Sequence, residues 1–117
     1  MGSMIMAKVK TEYECSLELA DNLIGGKWKL RILWHLIGDK KRFSDLRRDF
    51  PDITQKILTQ QLRELEDNDL IHREVYPVFP PRVEYSLTEE GQRLIPVLKQ
   101  LCDWSSNYAD NHDIKIK

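Results

Sequence analysis

Four polar side chains between positions 56 and 63 offer the most specific chemistry in this 117-residue sequence. They recur at steps of three, one and three residues, which places them on one face of a helix: Lys56, Thr59, Gln60 and Arg63. Their ammonium, hydroxyl, amide and guanidinium groups supply the donors and acceptors that DNA base edges and phosphates require. The same pattern is typical of an ordinary solvated helix face. The interpretation as a DNA contact therefore depends on what surrounds it.

Basic charge is concentrated around this polar face. The whole sequence has a formal net charge of −1, which gives no global sign of a polyanionic partner. Between positions 40 and 63, however, the local balance is +4. The basic residues are Lys40, Lys41, Arg42, Arg47, Arg48, Lys56 and Arg63, and the acidic ones are Asp45, Asp49 and Asp52. Such a patch can neutralise several phosphates and release their counterions, which favours a nucleic-acid partner.

Two successive short helices would present this face. Phe43, Leu46 and Phe50 lie on one side of a predicted first helix. Pro51 ends that helix because it cannot donate a backbone hydrogen bond. Thr54 is a suitable N-cap for a second helix, predicted over residues 55–68. The apolar positions of the second helix lie opposite its polar face: Leu58, Leu62 and Leu65. The segment 42–68 therefore predicts a helix-turn-helix.

A β-hairpin is predicted directly after the second helix. Residues 71–76 and 83–87 are short runs rich in β-branched and aromatic side chains, as strands are. The connection between them contains three prolines: Pro77, Pro80 and Pro81. Because proline fixes the backbone, we expect this connection to be stiff and to project as a wing.

Two side chains of the predicted wing have alternative roles. Arg82 could reach a phosphate or a narrow minor groove, or it could form a salt bridge to Glu84. The sequence leaves these two roles open. Phe79 could wedge against DNA, but packing under the wing is the favoured prediction.

An N-terminal pair of helices is predicted before the helix-turn-helix. The first carries an apolar stripe and ends at the two glycines 25 and 26. The stripe consists of Leu19, Ala20, Leu23 and Ile24. The second, from Lys27 to Ile37, is apolar nearly all round, which predicts the buried centre of the fold.

A long C-terminal helix is predicted after the wing, with Thr88 as its N-cap. Its apolar stripe is longer than one small domain needs: Leu94, Val97, Leu98, Leu101, Trp104 and Tyr108. Pro96 falls inside the helix and should bend it. The polar tail 107–117 should be frayed.

The surplus apolar surface could pack within one chain, but packing on a second copy is favoured, because a two-fold dimer presents two recognition helices about 34 Å apart.

The predicted fold is one domain, mainly α with a small β-hairpin wing: a winged helix-turn-helix with N- and C-terminal dimerisation helices. Its segments are 1–14 (arm or tag), 15–37 (N-terminal helices), 42–68 (helix-turn-helix), 71–87 (wing) and 88–108 (C-terminal dimerisation helix). The candidate dimerisation residues are Leu19, Leu23, Leu94, Leu98, Leu101 and Trp104. The composition suggests that residues 1–3 are a cloning remnant before a native start at Met4.

Three motifs occur in order along the chain: IGGKWKLRILWHL at 24–36, FSDLRRDFPDITQKILTQQLRELEDNDLIHREVYP at 43–77 and PPRVEYSLTEEG at 80–91. Over roughly residues 15–104 the chain resembles HxlR-type winged-helix transcriptional regulators, which are related to MarR-type regulators. The resemblance implies a bacterial or archaeal, cytoplasmic homodimer that binds an inverted-repeat operator and dimerises through its first and last helices. It implies DNA contacts at Thr54, Gln55, Lys56, Thr59, Gln60, Arg63 and, in the wing, Arg82. Arg42 of the basic patch is a further candidate.

Two cysteines are candidates for redox chemistry. Cys15 lies just before the first predicted helix, where resembling proteins often carry a cysteine that senses oxidants or electrophiles, frequently by bridging to the partner subunit. Cys102 lies on the last helix, so a dimer interface could bring the two together. The family often has Cys-Pro at this point, whereas Ser16 follows here, and nearby glutamates disfavour a thiolate. The favoured alternative is that both cysteines are small buried apolar groups.

Other classes of function find little support in the sequence. Its three histidines are scattered without metal-ligand spacing, and no phosphate loop, nucleophile elbow or acid pair occurs. We therefore expect no enzyme, cofactor or metal. No apolar run could span a membrane and no signal peptide is evident, which predicts a cytoplasmic protein. A winged helix that binds protein instead of specific DNA is the alternative function, and a small molecule or oxidant could be the effector.

Overall fold

The computed structural model describes residues 9–117. The proposed cloning remnant, the start at Met4 and most of the predicted arm lie outside the described residues. The elements are α1 (Ser16–Ile24), α2 (Lys29–His35), β1 (Lys41–Arg42), α3 (Phe43–Asp49), α4 (Gln55–Asp67), β2 (Ile71–Tyr76), β3 (Arg82–Leu87), α5 (Glu89–Arg93) and α6 (Ile95–Asn111). This arrangement of helices and one small sheet confirms the predicted winged helix-turn-helix.

Helices α3 and α4 form the helix-turn-helix. The hydroxyl oxygen of Thr54 accepts a hydrogen bond from the backbone N–H of Ile57 at 3.1 Å, which confirms the predicted N-cap. The three leucines that were predicted to face inward from α4 are all buried: Leu58, Leu62 and Leu65. The opposite face of α4 is therefore directed away from the core.

The sheet has three antiparallel strands in the order β1-β3-β2. The two-residue strand β1 was not predicted, because a run this short carries no periodicity. Strand β3 begins at Arg82, which pairs with Tyr76, one residue earlier than predicted. Arg82 therefore lies at the base of the wing loop and not at its tip.

Helix α2 lies at the centre of the fold, but its orientation differs from the simplest expectation. Ile32, Leu33 and Leu36 are almost completely buried, as predicted. Trp34 is 41% exposed, whereas the ammonium-bearing side chain of Lys29 is buried. A helix that is apolar nearly all round does not reveal which side faces water. The exposure of Trp34 and the burial of Lys29 therefore could not be predicted from the sequence.

The C-terminal segment is two helices and not one bent helix. Leu94 separates α5 from α6, and Pro96 lies in the first turn of α6. Backbone N–H groups of a first turn have no partner within the helix, so a proline there removes no hydrogen bond. The predicted bend at Pro96 is therefore wrong. The predicted fraying from residue 107 is wrong as far as Asn111, where α6 ends, and Ala109 is buried.

The two terminal helices leave apolar surface uncovered. Helix α1 has no buried residue. On α6, Leu98 is buried in the chain's own core, but Leu101 and Trp104 are exposed. The rings of Trp104, Tyr108 and His112 form a stack on the surface of α6 and its C-terminal end, with centroid distances of 5.6 and 4.0 Å.

Candidate DNA-binding surface

The outer face of α4 brings the predicted polar residues together. Lys56, Gln60 and Arg63 are exposed and Thr59 is half-buried. With Gln55 they line one shallow hollow along the helix. Within residues 9–117, neither Lys56 nor Arg63 forms an ion pair. Their positive charges are therefore available to an anionic partner.

A second hollow, of about 380 Å³, lies between α4 and the sheet. Thr59 and Arg63 line it from the helix, and Arg73 and Tyr85 line it from β2 and β3. Arg73 and Tyr85 face each other across the strand pair. No role was predicted for either residue from the sequence, although the alternation of β2 places Arg73 on the same face as Ile71 and Val75.

Tyr85 is a neutral hydrogen-bonding group in this hollow. Burial raises the pKa of its phenol above the ordinary value, against the opposing influence of Arg73. The hydroxyl therefore keeps its proton throughout the neutral range, and it can donate a hydrogen bond.

A third hollow, of about 530 Å³, lies under the wing loop. Arg42 and Phe43 line it on one side, and residues 78–83 line it on the other. Phe43 and Val83 also line the hollow beside α4, so the two hollows share a wall. The polar face of α4, the sheet and the wing loop therefore form one continuous concave surface.

The structure shows where the two wing side chains Phe79 and Arg82 lie. Phe79 is 98% exposed, so the favoured prediction that it packs under the wing is wrong. The Nε atom of Arg82 lies 3.2 Å from the Glu84 carboxylate, and its guanidinium lies over the Tyr76 ring, 4.6 Å from the centroid. The structure thus contains the salt bridge, which was one of the two alternatives for Arg82.

Part of the basic patch is used within the chain. The Lys41 ammonium lies 2.8 Å from the Asp49 carboxylate, Arg48 pairs with Asp45, and Arg47 donates to the backbone carbonyl of residue 53 at 2.6 Å. The hydrogen bond from Lys41 lowers the pKa of Asp49, with a smaller contribution from His35, whose Nδ1 lies 3.2 Å away. The number of basic residues in the patch therefore overstates how many cations are free to meet DNA, although the net charge of +4 already includes the paired carboxylates.

A buried ion pair anchors α4 from behind. The Lys29 ammonium on α2 donates to the Glu64 carboxylate at 2.6 Å, and the two residues are only 4% and 6% exposed. The second carboxylate oxygen of Glu64 lies 3.4 Å from the amide nitrogen of Gln60 on the outer face. Sequence reasoning missed this pair, because a lysine and a glutamate 35 residues apart carry no local signal.

The two cysteines are both exposed, and neither forms a disulfide within residues 9–117. The favoured prediction that they are buried apolar groups is therefore wrong for this chain. Cys15 directly precedes α1. Cys102 lies on α6 at an apolar hollow of about 340 Å³ between α2 and α6, to which Trp34 and Leu101 also contribute.

Residues 9–117 contain no cluster of three or more side chains that could ligate a metal ion. The same residues form no helix that combines the length and the apolar character needed to cross a membrane.

These features together define a class of protein. A helix-turn-helix whose second helix presents a basic and polar face with no ion pair to the rest of residues 9–117, beside a β-hairpin with further arginines, is a winged helix-turn-helix of the DNA-binding type. More particularly, the chain belongs to the HxlR-like helix-turn-helix family, whose family model matches residues 23–113. The resemblance inferred from the sequence motifs is thereby confirmed.

Individual relatives agree with this assignment. An uncharacterized HTH-type transcriptional regulator of Methanothermobacter thermautotrophicus is 54% identical over 102 residues, which cover 87% of this chain and 78% of the relative. The redox regulator HypR in its reduced form superposes with a TM-score of 0.81 at 47% identity, covering 85% of this chain and 98% of HypR. The reduced form of the Bacillus subtilis transcriptional regulator YodB gives a TM-score of 0.74 at 33% identity, covering 86% and 98%.

Proposed function

We propose that this protein is a homodimeric transcriptional regulator that binds an inverted-repeat operator, with α4 in the major groove and the wing along the adjacent minor groove. The observation that carries the proposal is the outer face of α4. Its basic side chains, Lys56 and Arg63, have no ion-pair partner among residues 9–117, while its inner face is fixed by buried leucines and by the pair of Lys29 with Glu64. A recognition helix needs both an open face and a rigid support.

The side chains divide by the chemistry that they offer. Lys56 and Arg42 are exposed cations at the hollows of the surface, suited to phosphates, which give affinity without sequence preference. Gln60 and Arg63 are suited to base edges, since an amide matches adenine and a guanidinium matches guanine. Arg82 would reach a phosphate with the guanidinium nitrogens that do not face Glu84.

Two further assignments concern the start of α4. Thr54 is committed to the N-cap, so its proposed contact with DNA uses the hydroxyl proton and not the oxygen lone pair that accepts from Ile57. Gln55 and Thr59 line the hollow beside the sheet, where they would meet the backbone or the edge of a base.

We propose that the dimer forms through α1 and α6. The exposed apolar side chains on these helices would be covered by the same helices of a second copy, as a two-fold interface requires. Leu101 and Trp104 are available for this contact, whereas Leu98 is buried in the chain's own core and would contribute only indirectly.

We propose that oxidation controls DNA binding. Cys15 and Cys102 are exposed on the two helical regions assigned to the interface, and HypR, a redox regulator, has been solved in both its oxidized and its reduced form. In the proposed switch Cys15 of one subunit forms a disulfide with Cys102 of the other. The two thiols lose two hydrogen atoms, which pass to the oxidant. The protein would act in the cytoplasm, where its DNA is.

The redox proposal has a direct test with diamide, whose azo bond takes up the two hydrogen atoms and becomes a hydrazine. Treated wild-type protein should migrate as a crosslinked dimer on a non-reducing gel, reversibly with dithiothreitol. Cys15→Ser and Cys102→Ser should each remain monomeric on that gel. Crosslinking that survives either substitution would contradict the proposed pairing, and unchanged operator affinity would contradict the switch.

The DNA-binding proposal is tested by salt. Fluorescence anisotropy with a labelled duplex should show affinity falling steeply between about 50 and 200 mM salt, because bound phosphates release counterions. Lys56→Ala should flatten the logarithmic slope by about one unit. Arg48→Ala is the matched control, since that arginine already pairs with Asp45. Salt-independent or undetectable binding would favour the alternative function, a winged helix that binds protein.

A further inference from the structure

The tip of the wing carries an apolar side chain that none of residues 9–117 covers. Phe79 lies in the loop between β2 and β3 and is 98% exposed, and the adjacent Val78 is about half exposed. Covering an exposed phenyl ring with another surface lowers the free energy, because apolar area is removed from water.

The backbone of the loop is fixed in a conformation that exposes the Phe79 ring. Tyr76 and Arg82 pair across the strands at the base of the loop, and the backbone N–H of Val78 donates to the carbonyl of Tyr76 at 2.8 Å. Prolines at 77, 80 and 81 fix three further backbone angles. Because the loop is already ordered, little conformational entropy is lost when the ring is bound.

The surroundings of the ring point to a polyanion with an apolar interior. Arg42 and Arg82 line the hollow beneath the loop, and no acidic residue lines it. This hollow shares Phe43 and Val83 with the one beside α4, which is lined by two arginines and one acidic residue: Arg63, Arg73 and Glu66. The ring therefore lies at one end of a basic concave surface whose other end is the proposed recognition helix.

We infer that Phe79 is a wedge that inserts between stacked base pairs in the minor groove next to the major groove occupied by α4. Apolar side chains that enter the minor groove part a base step and kink the duplex. Arg42 would contact a phosphate flanking the step. Pyrimidine–purine steps such as TA and CA unstack most easily. Phe79 would therefore add sequence preference at a position that α4 does not touch. This inference rests on the proposed DNA-binding function.

The test uses the full-length protein and duplexes that the wild type selects from a random-sequence pool, with 2-aminopurine placed at the step facing the wing. Wild-type protein should raise the 2-aminopurine fluorescence, because the base becomes unstacked. Phe79→Ala should abolish that rise and weaken binding about tenfold or more, by the usual contribution of one aromatic–base stack. The loss should shrink when the step is replaced by a purine–purine step. Phe79→Tyr should retain the signal.

Controls separate this inference from the proposed function and from folding. Val78→Ala trims an exposed aliphatic chain in the same loop and should change affinity by less than about threefold. The melting temperature of Phe79→Ala should equal that of the wild type, because the ring contacts nothing in the core. Wild-type affinity and fluorescence in Phe79→Ala would overturn the wedge. So would an equal loss of affinity on every sequence without a fluorescence change. Failure of the wild type to select any DNA would overturn the proposed function, and the wedge with it.

Discussion

Removing the charge of Glu64 should destabilise the protein more than removing any charge on its surface. The Lys29 ammonium lies 2.6 Å from Glu64 and both residues are more than nine-tenths buried. Glu64→Gln keeps the size of the side chain but leaves an uncompensated ammonium between α2 and α4. Breaking a buried pair in this way costs about 3–5 kcal/mol. That is a large share of the total free energy of unfolding of a domain this size, about 5–15 kcal/mol.

Replacing both partners should cost far less. In the double variant Lys29→Met with Glu64→Leu no charge is buried, and such apolar replacements are neutral or stabilising by up to about 4 kcal/mol. The exposed pair of Arg93 with Glu90 is the matched surface control, and Glu90→Gln should cost less than about 1 kcal/mol. The comparison shows whether the penalty arises from burial of an unpaired charge or from loss of the attraction itself.

The assay is urea unfolding followed by circular dichroism, with all proteins at one concentration because dimerisation contributes to stability. Adding Lys29→Met and Glu64→Leu as single variants completes a double-mutant cycle, which gives the coupling between the two positions. If Glu64→Gln lowers the free energy of unfolding by less than about 1 kcal/mol, the reasoning is refuted. Such a small loss is typical of an ion pair that water can reach. If Glu64→Gln does not fold, a folded double variant would still establish that unpaired charge is the cause.

Three further predictions concern the fold around the surface. Gly91→Ala should destabilise by about 1–3 kcal/mol in thermal unfolding, because the new Cβ would lie 2.1 Å from the backbone carbonyl oxygen of Leu70. Asp49→Asn should remove a contribution of about 0.2–1 kcal/mol that Lys41 provides. Because the folded pKa of Asp49 is lowered, that contribution is present above about pH 4 and is lost in the wild type as the pH falls through the folded value. Thr54→Ala should cost about 0.5–2 kcal/mol through the lost N-cap.

Each of these has a control in the same region. Gln92→Ala, on the same helix as Gly91 but exposed, should leave the melting temperature unchanged. An equal loss in both variants would show that α5 is sensitive to any substitution. Asp52→Asn removes an exposed carboxylate that forms no ion pair within residues 9–117 and should retain the wild-type acid profile. Thr54→Ser should restore the stability lost in Thr54→Ala, and failure to do so would contradict the cap.

Local rules predicted the helix-turn-helix well because its signals are local. Pro51 ends α3 and Thr54 begins α4 through backbone geometry and one hydrogen bond, which depend on neighbouring residues only. The leucines of α4 repeat at the helical period and are buried, as predicted. The polar face of the helix follows from the same period.

What the sequence could not provide were contacts between distant segments and the side of an element that faces water. The partnership of Lys29 with Glu64 joins two helices and exists only after packing. Periodicity cannot orient a helix as apolar as α2, so the exposure of Trp34 was not foreseen. Pro96 was interpreted as internal to one helix, although proline is also common in the first turn of a helix, and it is the structure that shows α6 beginning at Ile95. The exposure of Phe79 reflects a stiff loop that holds the ring away from the sheet.

The most direct test of the central claim, that α4 and the wing read DNA as a two-fold pair, is selection of bound duplexes from a random-sequence pool. We predict enrichment of two inverted half-sites whose centres are about one helical turn, or a multiple of it, apart. Arg63→Ala and Gln60→Ala should each relax preference at one position of the half-site, by about 1–3 kcal/mol of discrimination. Enrichment of a single unrepeated site, or no enrichment at all, would contradict the account.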